Sequence, residues 1–265
     1  MKQDVYFFCE ECEREAGKVE EMKRQRYHFV DNIRGITLLS MVVYHAVWDL
    51  VYIFGWNLEW YDSMVGYFWQ QSICWTFILL SGFCWCLSRR KLRRGFVVFG
   101  GGLLITAVTL LVMPQNRVVF GVLTLLGTCM LLQVLLEPLW KKCNSFTGLL
   151  SSFVLFMLFR NINQGYMGIG EMELLELPQD LYDNLFTTFL GFTERGFFST
   201  DYFSLIPWYF LFLTGYFLYR FLQEKELLKK IPNIHFLPLE WLGKNSLLLY
   251  LLHQPVVYGV LSLVM

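Results

Sequence analysis

Long apolar blocks alternate with short polar segments along most of this chain. Each block approaches the length of about 20 residues that an α-helix needs to cross a hydrocarbon core about 30 Å thick. Because the blocks are continuous and do not alternate at every second residue, they predict membrane-spanning helices and not the strands of a barrel. The seven predicted spans are 33–54, 66–87, 96–113, 119–136, 146–159, 202–222 and 246–264.

The composition agrees with this pattern. The chain is 55% hydrophobic and 18% aromatic, its mean hydropathy is +0.44, and these values exceed those of soluble domains. Its 22 basic and 22 acidic residues cancel, so there is no overall positive field to attract a nucleic acid. The predicted fold class is an all-α integral membrane protein, a polytopic bundle of about seven transmembrane helices in contact with membrane lipids.

Basic residues are distributed unevenly between the segments that connect the predicted spans. If the N-terminus lies inside, the outer segments contain only Arg117, Arg160 and Arg195 of the 22 lysine and arginine residues. The preference of basic residues for the inner side therefore predicts a cytoplasmic N-terminus and, with seven spans, an extracytoplasmic C-terminus. The predicted domains are a cytoplasmic tail at 1–30 and a transmembrane domain at 31–265, with an extracytoplasmic loop at about 160–201.

A histidine lies near the middle of the first predicted span. His45 is about halfway along residues 33–54, and an ionisable group at this depth is costly unless it faces a protein interior or a water-filled cavity. Asp49 follows one helical turn later on the same face. A carboxylate there can fix the tautomer of the imidazole and leave its other nitrogen basic. An interhelical hydrogen bond is the structural alternative, but the pair favours acid–base chemistry.

Two further polar positions lie at a similar depth. With a helical rise of about 1.5 Å per residue, His45 is roughly 16 Å from Arg34, and His253 is roughly 13 Å from Lys244. Ser81, in the second span, is about 12 Å from the basic run that follows it. A polar layer shared by three helices is typical of a site inside a helical bundle.

The last predicted span contains a proline beside its histidine. Gln254 and Pro255 follow His253 directly, and proline removes one backbone hydrogen bond from a helix. The helix is therefore either broken at the site, where it would line a cavity, or only kinked.

Five basic residues follow the second predicted span. Such a run first of all sets the topology and binds anionic lipid headgroups. Because arginine forks match phosphate geometry, the same run can also hold a phosphate-rich cosubstrate at the inner mouth of the site. The run consists of Arg89, Arg90, Lys91, Arg93 and Arg94.

Cysteine usage indicates neither a disulfide framework nor a metal site. The seven cysteines are an odd number, and most of them lie inside predicted spans. Cys9 and Cys12 form one C-x-x-C pair, but a structural zinc site needs four ligands. No metal is therefore predicted, and the role of this pair stays open.

Five sequence blocks, which together extend over nearly the whole chain, resemble a known family. They are DNIRG at 31–35 with the helix that continues to Asp49, FILLSGF at 77–83 with the basic run, FG at 120–121 with Gly127, DYFSLIPW at 201–208 with Gly215, and LGKNSLLLY at 242–250 with HQP at 253–255. In this order the blocks resemble the bacterial branch of the heparan-alpha-glucosaminide N-acetyltransferase catalytic-domain family. The spacing of Arg34 and His45 is also similar to the motif that opens the acyltransferase 3 family, a relative within the transmembrane acyltransferase superfamily.

The resemblance implies an enzyme that takes an acetyl or other acyl group from acyl-CoA on the inner side and delivers it to an acceptor, commonly a sugar or glycan, on the outer side. It implies acetyl-CoA as cosubstrate and the bacterial cytoplasmic membrane as location, and it leaves a homo-oligomer open. In heparan-acetylating members the essential histidine lies in the first extracytoplasmic loop. Residues 55–65 contain no histidine here, so heparan itself is not the expected acceptor.

The resulting hypothesis assigns acyl transfer to the polar layer. His45 acts as general base or accepts the acyl group itself, and Asp49 orients it. His253 or Ser81 stabilises the oxyanion of the tetrahedral intermediate. Arg34 either neutralises a phosphate or anchors its helix.

The two substrates are assigned to opposite mouths of the site. The phosphates of acyl-CoA are expected at Arg89, Arg90, Arg93 and Arg94 on the inner side. The residues expected to bind the acceptor on the outer side are Asp201, Tyr202 and Trp208.

The alternative function is a small proton-coupled transporter or flippase. His45 and Asp49 would then form a proton relay along a permeation path. The chain shows no internal repeat, which many secondary transporters have, so the sequence favours the acyltransferase.

Overall fold

A computed structural model describes residues 27–232 and 234–265, and these residues are mostly helical. The predicted cytoplasmic tail, with Cys9 and Cys12, lies almost entirely outside the described residues. In chain order the elements are α1 (His28–Tyr52), α2 (Met64–Trp85), α3 (Lys91–Val112), α4 (Val122–Trp140), α5 (Ser145–Phe159), the hairpin strands β1 (Tyr166–Ile169) and β2 (Met172–Glu176), α6 (Leu185–Leu190), α7 (Leu205–Glu224), α8 (Leu237–Lys244) and α9 (Ser246–Val264).

The prediction of an all-α polytopic membrane protein is confirmed. Within the described ranges, six helical segments are long and apolar enough to cross a membrane, namely α1, α3, α4, α5 together with the turn that follows it (Ser145–Gln164), α7 and α9. The remaining long helix, α2, has the spanning length of 22 residues but is less apolar, because it includes Gln70 and Gln71. The chain is thus an integral multi-pass membrane protein.

The core of the bundle is formed mainly by α2, α4 and α7. Trp85, Phe212 and Tyr216 are among its largest fully buried side chains. Helix α7 packs against α2 and α5, α3 packs against α4, and α1 packs against α8. By contrast, no residue of α9 is fully buried, so this helix lies at the edge of the bundle, where it contacts α1.

Two glycines let α2 and α7 approach until their backbones touch. A Cβ atom on Gly82 of α2 would lie 1.8 Å from the carbonyl oxygen of Phe212 on α7, and one on Gly215 of α7 would lie 2.0 Å from that of Leu79 on α2. These distances leave no room for a side chain. Small residues at such crossings are typical of membrane helices, which pack by close van der Waals contact.

The loop before α4 ends in an unusual backbone conformation. Phe120 has a φ of 57°, and Gly121 after it is the N-cap residue of α4. The helix therefore begins at Val122, three residues later than the predicted span. In the predicted outer loop, residues 160–201, the chain forms the β1–β2 hairpin and α6.

Candidate active site

Two histidines from opposite ends of the chain lie side by side in the bundle. The ring centroids of His45 on α1 and His253 on α9 are 4.8 Å apart, with an angle of 57° between the planes. Both side chains are partly buried. The two residues that the sequence put at similar depth are thus direct neighbours.

The tautomer of His253 follows from its hydrogen bond. Its Nδ1 atom lies 2.5 Å from the carbonyl oxygen of Tyr250, one turn earlier on α9, and a carbonyl oxygen can only accept. Nδ1 therefore carries the hydrogen, and in the neutral ring Nε2 has a free lone pair. Nε2 is buried and has no hydrogen-bond partner among the described residues.

Asp49 bonds to the neighbour of His253 and not to His45. Its side chain is fully buried, and its Oδ1 atom accepts a 2.6 Å hydrogen bond from Nε2 of Gln254. The orienting contact to His45 that the sequence suggested is replaced by this bond between α1 and α9. His45 has ring contacts with Tyr44 and His253, and no hydrogen bond to it occurs within the described part of the chain.

Helix α9 runs through Pro255 without a break, from Ser246 to Val264. Of the two possibilities that the sequence left open, a broken helix at the site is therefore wrong. The polar contacts of His253 and Gln254 arise from an intact helix, because both side chains face α1.

A cavity of about 390 Å³ opens beside the histidine pair. Polar side chains line one part of it and apolar side chains from α2, α3 and α4 line the rest. The polar lining residues are Arg34, Arg90, Arg93, Arg94, Ser81, Ser88, Ser246 and Tyr250. Four of the five arginines that the sequence assigned to the donor and Ser81, which it assigned to the oxyanion, thus lie around one cavity. Arg89 is exposed and is not among its lining residues.

Tyr250 connects this cavity to the two histidines. It lines the cavity, and its ring centroid lies 5.3 Å from that of His253. Neither histidine lines the cavity itself, so Tyr250 stands between the basic part and the imidazoles. Sequence reasoning missed this residue, although its position one turn before His253 places both on one face of α9.

Arg34 holds three helices together at the edge of the cavity. Its guanidinium donates to the Sγ atom of Cys84 on α2 at 2.9 Å and to the carbonyl oxygen of Gly243 on α8 at 3.4 Å. It also lies 3.5 Å from Asp31 on its own helix. Both interpretations from the sequence, a helix anchor and a cavity residue, are therefore compatible with its contacts.

The three residues assigned to the acceptor make separate contacts. The Oδ2 atom of Asp201 accepts from the backbone N–H of Val122 at 3.2 Å, and burial raises the pKa of this carboxyl to about 6. Asp201 also interacts electrostatically with Tyr250. It is the member of the three that the structure connects to the site.

The two aromatic members make local contacts. Tyr202 donates to the carbonyl oxygen of Thr188 at 2.5 Å and so fixes the outer loop to α6. Trp208 packs against Phe156 and Phe203, with ring centroids 5.5 and 5.0 Å away.

One protein family matches this chain. The family model described as "Heparan-alpha-glucosaminide N-acetyltransferase, catalytic" matches residues 26–255. The matched segment contains the histidine pair, the cavity residues and Asp201. No curated protein and no solved structure gives a significant match.

Proposed function

The chain belongs to the heparan-alpha-glucosaminide N-acetyltransferase catalytic family, and from this premise we propose that it transfers an acetyl or other acyl group from acyl-CoA to an acceptor across the membrane. Family membership indicates a membrane acetyltransferase. The donor, the acceptor and the direction of transfer belong to the proposal. The observation that carries it is an arginine-lined cavity connected through Tyr250 to a histidine with a free nitrogen.

The cavity fits the chemistry of a coenzyme A thioester. Coenzyme A combines phosphates, which arginine forks bind well, with a long and nearly neutral arm that ends in the thioester. Arg34, Arg90, Arg93 and Arg94 supply the positive charge, and apolar side chains line the remaining wall. Its volume of about 390 Å³ lies within the range of small-molecule sites. We assign Arg89, which is exposed, to the first electrostatic contact with the phosphates.

In this proposal His253 takes up the proton of the acceptor. Its Nδ1–H is bonded to the carbonyl oxygen of Tyr250, so Nε2 receives the proton from the acceptor hydroxyl or amine as that group attacks the thioester carbon. The C–S bond then breaks, and the coenzyme A thiolate recovers the proton from Nε2. Sequence analysis assigned the role of base to His45, but the hydrogen bond that sets the tautomer of His253 supports His253.

His45 stabilises the charge that develops during the attack. One nitrogen of its neutral ring carries a hydrogen, and this N–H can donate to the oxyanion of the tetrahedral intermediate. Ser81, which lines the cavity, is a second donor for the same oxygen. Asp49 is a positioning residue, because its hydrogen bond to Gln254 holds α9 against α1 beside both histidines.

We place the acceptor on the side of Asp201, in the predicted extracytoplasmic half. A carboxylate and nearby aromatic rings suit the hydroxyl groups and apolar faces of a sugar. Tyr202 and Trp208 supply rings in this region. With the N-terminus inside, transfer would run from the cytoplasm outwards, in the bacterial cytoplasmic membrane if the chain is bacterial.

The first test measures binding of the donor. Coenzyme A and acetyl-CoA should raise the melting temperature of the purified protein, because a ligand that binds only the folded state stabilises it. The double variant Arg93→Gln, Arg94→Gln should lose this shift. Arg195→Gln, which changes an exposed arginine on the outer loop, is the matched control and should keep it. A transporter of unrelated solutes would show no shift with coenzyme A.

The second test measures transfer with radiolabelled acetyl-CoA and a panel of sugar and amino-sugar acceptors. His253→Ala should lower the transfer rate by about 10²–10⁴-fold, the usual contribution of a general base, while the thermal shift with coenzyme A persists. If the wild type neither transfers nor hydrolyses acetyl-CoA above the His253→Ala and His45→Ala variants, the proposal is wrong.

A further inference from the structure

Two histidines and a glutamate meet where α1 begins and α8 crosses it. His28 is the first residue of α1, His235 precedes α8, and Glu240 lies within α8. One potential ligand atom from each residue lies within 4.8 Å of the other two. Nδ1 of His28 is 2.8 Å from Oε2 of Glu240, and Nδ1 of His235 is 3.3 Å from Oε1.

The glutamate in this cluster is buried and only partly satisfied. Glu240 is 1% exposed, and its Oε1 atom has no hydrogen-bond partner among the described residues. His235 faces this oxygen, but not in hydrogen-bonding geometry. A buried carboxylate oxygen without a hydrogen bond is costly, and within residues 27–232 and 234–265 nothing donates to this atom, which leaves it open to a bound cation.

We propose that His28, His235 and Glu240 bind a divalent transition-metal ion of the zinc class. Two imidazoles and one carboxylate are a common set of protein ligands for zinc, with a solvent molecule as the fourth. Bonds of about 2.0–2.2 Å in a tetrahedral arrangement put neighbouring ligand atoms about 3.3 Å apart. The 3.3 Å between Nδ1 of His235 and Oε1 of Glu240 matches this value. Nδ1 of His28 lies 2.8 Å from the other oxygen, Oε2, to which it is hydrogen-bonded, so metal binding would replace that hydrogen bond with a bond to the ion.

The ammonium group of Lys244 would compete with a metal ion for the carboxylate of Glu240. Its Nζ atom lies 3.2 Å from Oε2 of Glu240, and its side chain is 34% exposed. It can therefore turn into solvent when a metal ion neutralises the carboxylate. Glu240, by contrast, is buried, and His28 begins α1, so these two ligands are held where α1 and α8 cross.

Two glycines allow α1 and α8 to cross at very short distance. A Cβ atom on Gly35 would lie 2.2 Å from the carbonyl oxygen of Leu239, and one on Gly243 would lie 2.1 Å from that of Asp31. A metal ion bound by His28, His235 and Glu240 would add a further link between α1 and α8. Since α8 leads directly into α9, the metal site would stabilise the helix that carries Tyr250 and His253, without touching the substrates.

The test measures metal content and is independent of acyl transfer. It uses full-length protein with Cys9→Ser and Cys12→Ser, because that pair of thiols can bind zinc by itself. After chelation, incubation with zinc sulfate and desalting, the protein should retain about one equivalent of zinc, as expected for a single site. Cobalt in place of zinc should give the visible absorption bands of a tetrahedral site.

Two variants in this background test the ligands, and a third is the control. His235→Ala alters a side chain that is 53% exposed and is least expected to disturb folding, while Glu240→Gln keeps the shape of the buried ligand. Each should weaken zinc binding at least about 100-fold, because even residues outside the ligand sphere often contribute 10–100-fold. His253→Ala, the control, removes a histidine from elsewhere in the chain and should leave the zinc content unchanged.

Two results would overturn this proposal. One is a background protein that retains no zinc and shows no rise in melting temperature with it. The other is a His235→Ala variant, folded by size-exclusion chromatography, that binds zinc as well as its parent. Either result would leave the acyltransferase proposal untouched, since the cluster includes no residue of the cavity or the histidine pair.

Discussion

The chemistry of His253 depends on a single backbone contact. The carbonyl oxygen of Tyr250 accepts from Nδ1, and this bond alone determines which ring nitrogen is free to act as a base. Asp201 shows the same dependence on surroundings, because burial raises its pKa while the backbone N–H of Val122 opposes that shift. At this scale the neighbouring atoms, and not the residue type, decide what a polar side chain can do.

The raised pKa of Asp201 predicts a pH-dependent stability. Burial raises it from the usual 3.8 to about 6, so the folded protein holds this proton more tightly than the unfolded chain. The stability that Asp201 contributes is therefore complete below the usual pKa and is lost as the pH rises through about 6. Asp201→Asn should flatten this part of the profile of melting temperature against pH.

Asp183→Asn is the control for this experiment. Asp183 is an exposed carboxylate on the same predicted outer loop, so its replacement should leave the profile unchanged. If Asp201→Asn and the wild type lose the same number of degrees between pH 5 and pH 7, burial does not govern the ionisation of Asp201.

Among the helices, α2 and α7 make the closest crossing, and this crossing positions Ser81 at the cavity. Gly82 and Gly215 contact the backbone of the opposite helix from both sides. Ser81 directly precedes Gly82, so the depth of the crossing also decides how far its hydroxyl extends into the cavity. The α1–α8 crossing, built on Gly35 and Gly243, is arranged in the same way.

A methyl group at the α2–α7 crossing should be strongly destabilising. A Cβ atom on Gly82 would lie 1.8 Å from the carbonyl oxygen of Phe212, so Gly82→Ala must push the helices apart. Overpacking of this kind costs about 1–3 kcal/mol. The variant should therefore melt several degrees below the wild type in detergent.

Gly100→Ala is the matched control, because nothing lies within 4 Å of a Cβ atom at Gly100 on α3. Alanine is the better helix former by about 0.5–1 kcal/mol, so this variant should be as stable as the wild type or slightly more stable. Equal loss of stability in both variants would contradict the role of the crossing.

The whole molecule is a multi-pass helical bundle in which the proposed donor cavity is lined by Tyr250, and Tyr250 contacts one of the two histidines. That arrangement suits transfer across a membrane only if the arginine-lined part faces the cytoplasm. The orientation is predicted from the distribution of basic residues. Cys143, an exposed cysteine between α4 and α5, offers a direct test.

Cys143 should react with a membrane-impermeant maleimide only from the cytoplasmic side. In a Cys9→Ser, Cys12→Ser background, intact cells should show no labelling, and permeabilised cells should show labelling that Cys143→Ser removes. Within the described residues, the other cysteines are buried or partly buried in or beside helices. Labelling of Cys143 in intact cells would mean that the orientation, and with it the direction of transfer, is reversed.

Much of the fold was predictable because a membrane-spanning helix is a local feature. Its length follows from the thickness of the hydrocarbon core, and its backbone hydrogen bonds are satisfied within the segment. The apolar blocks therefore indicated each of the long helices that the structure describes, and the shorter α5 as well. The predicted spans differ from the helices at some ends, for example at the start of α4. There the positive φ of Phe120 and the hydrogen bond from Val122 to Asp201 determine the first turn.

The order and spacing of residues were enough to predict the fold class, the family resemblance and a similar depth for the two histidines, because each is a property of the linear chain. The packed helices were needed to show that Asp49 bonds to Gln254, that Tyr250 lies beside both the cavity and His253, and that His28 contacts Glu240. The last two residues are 212 positions apart. Contacts between distant segments depend on how the helices pack, and packing is decided by the shapes of all the side chains together.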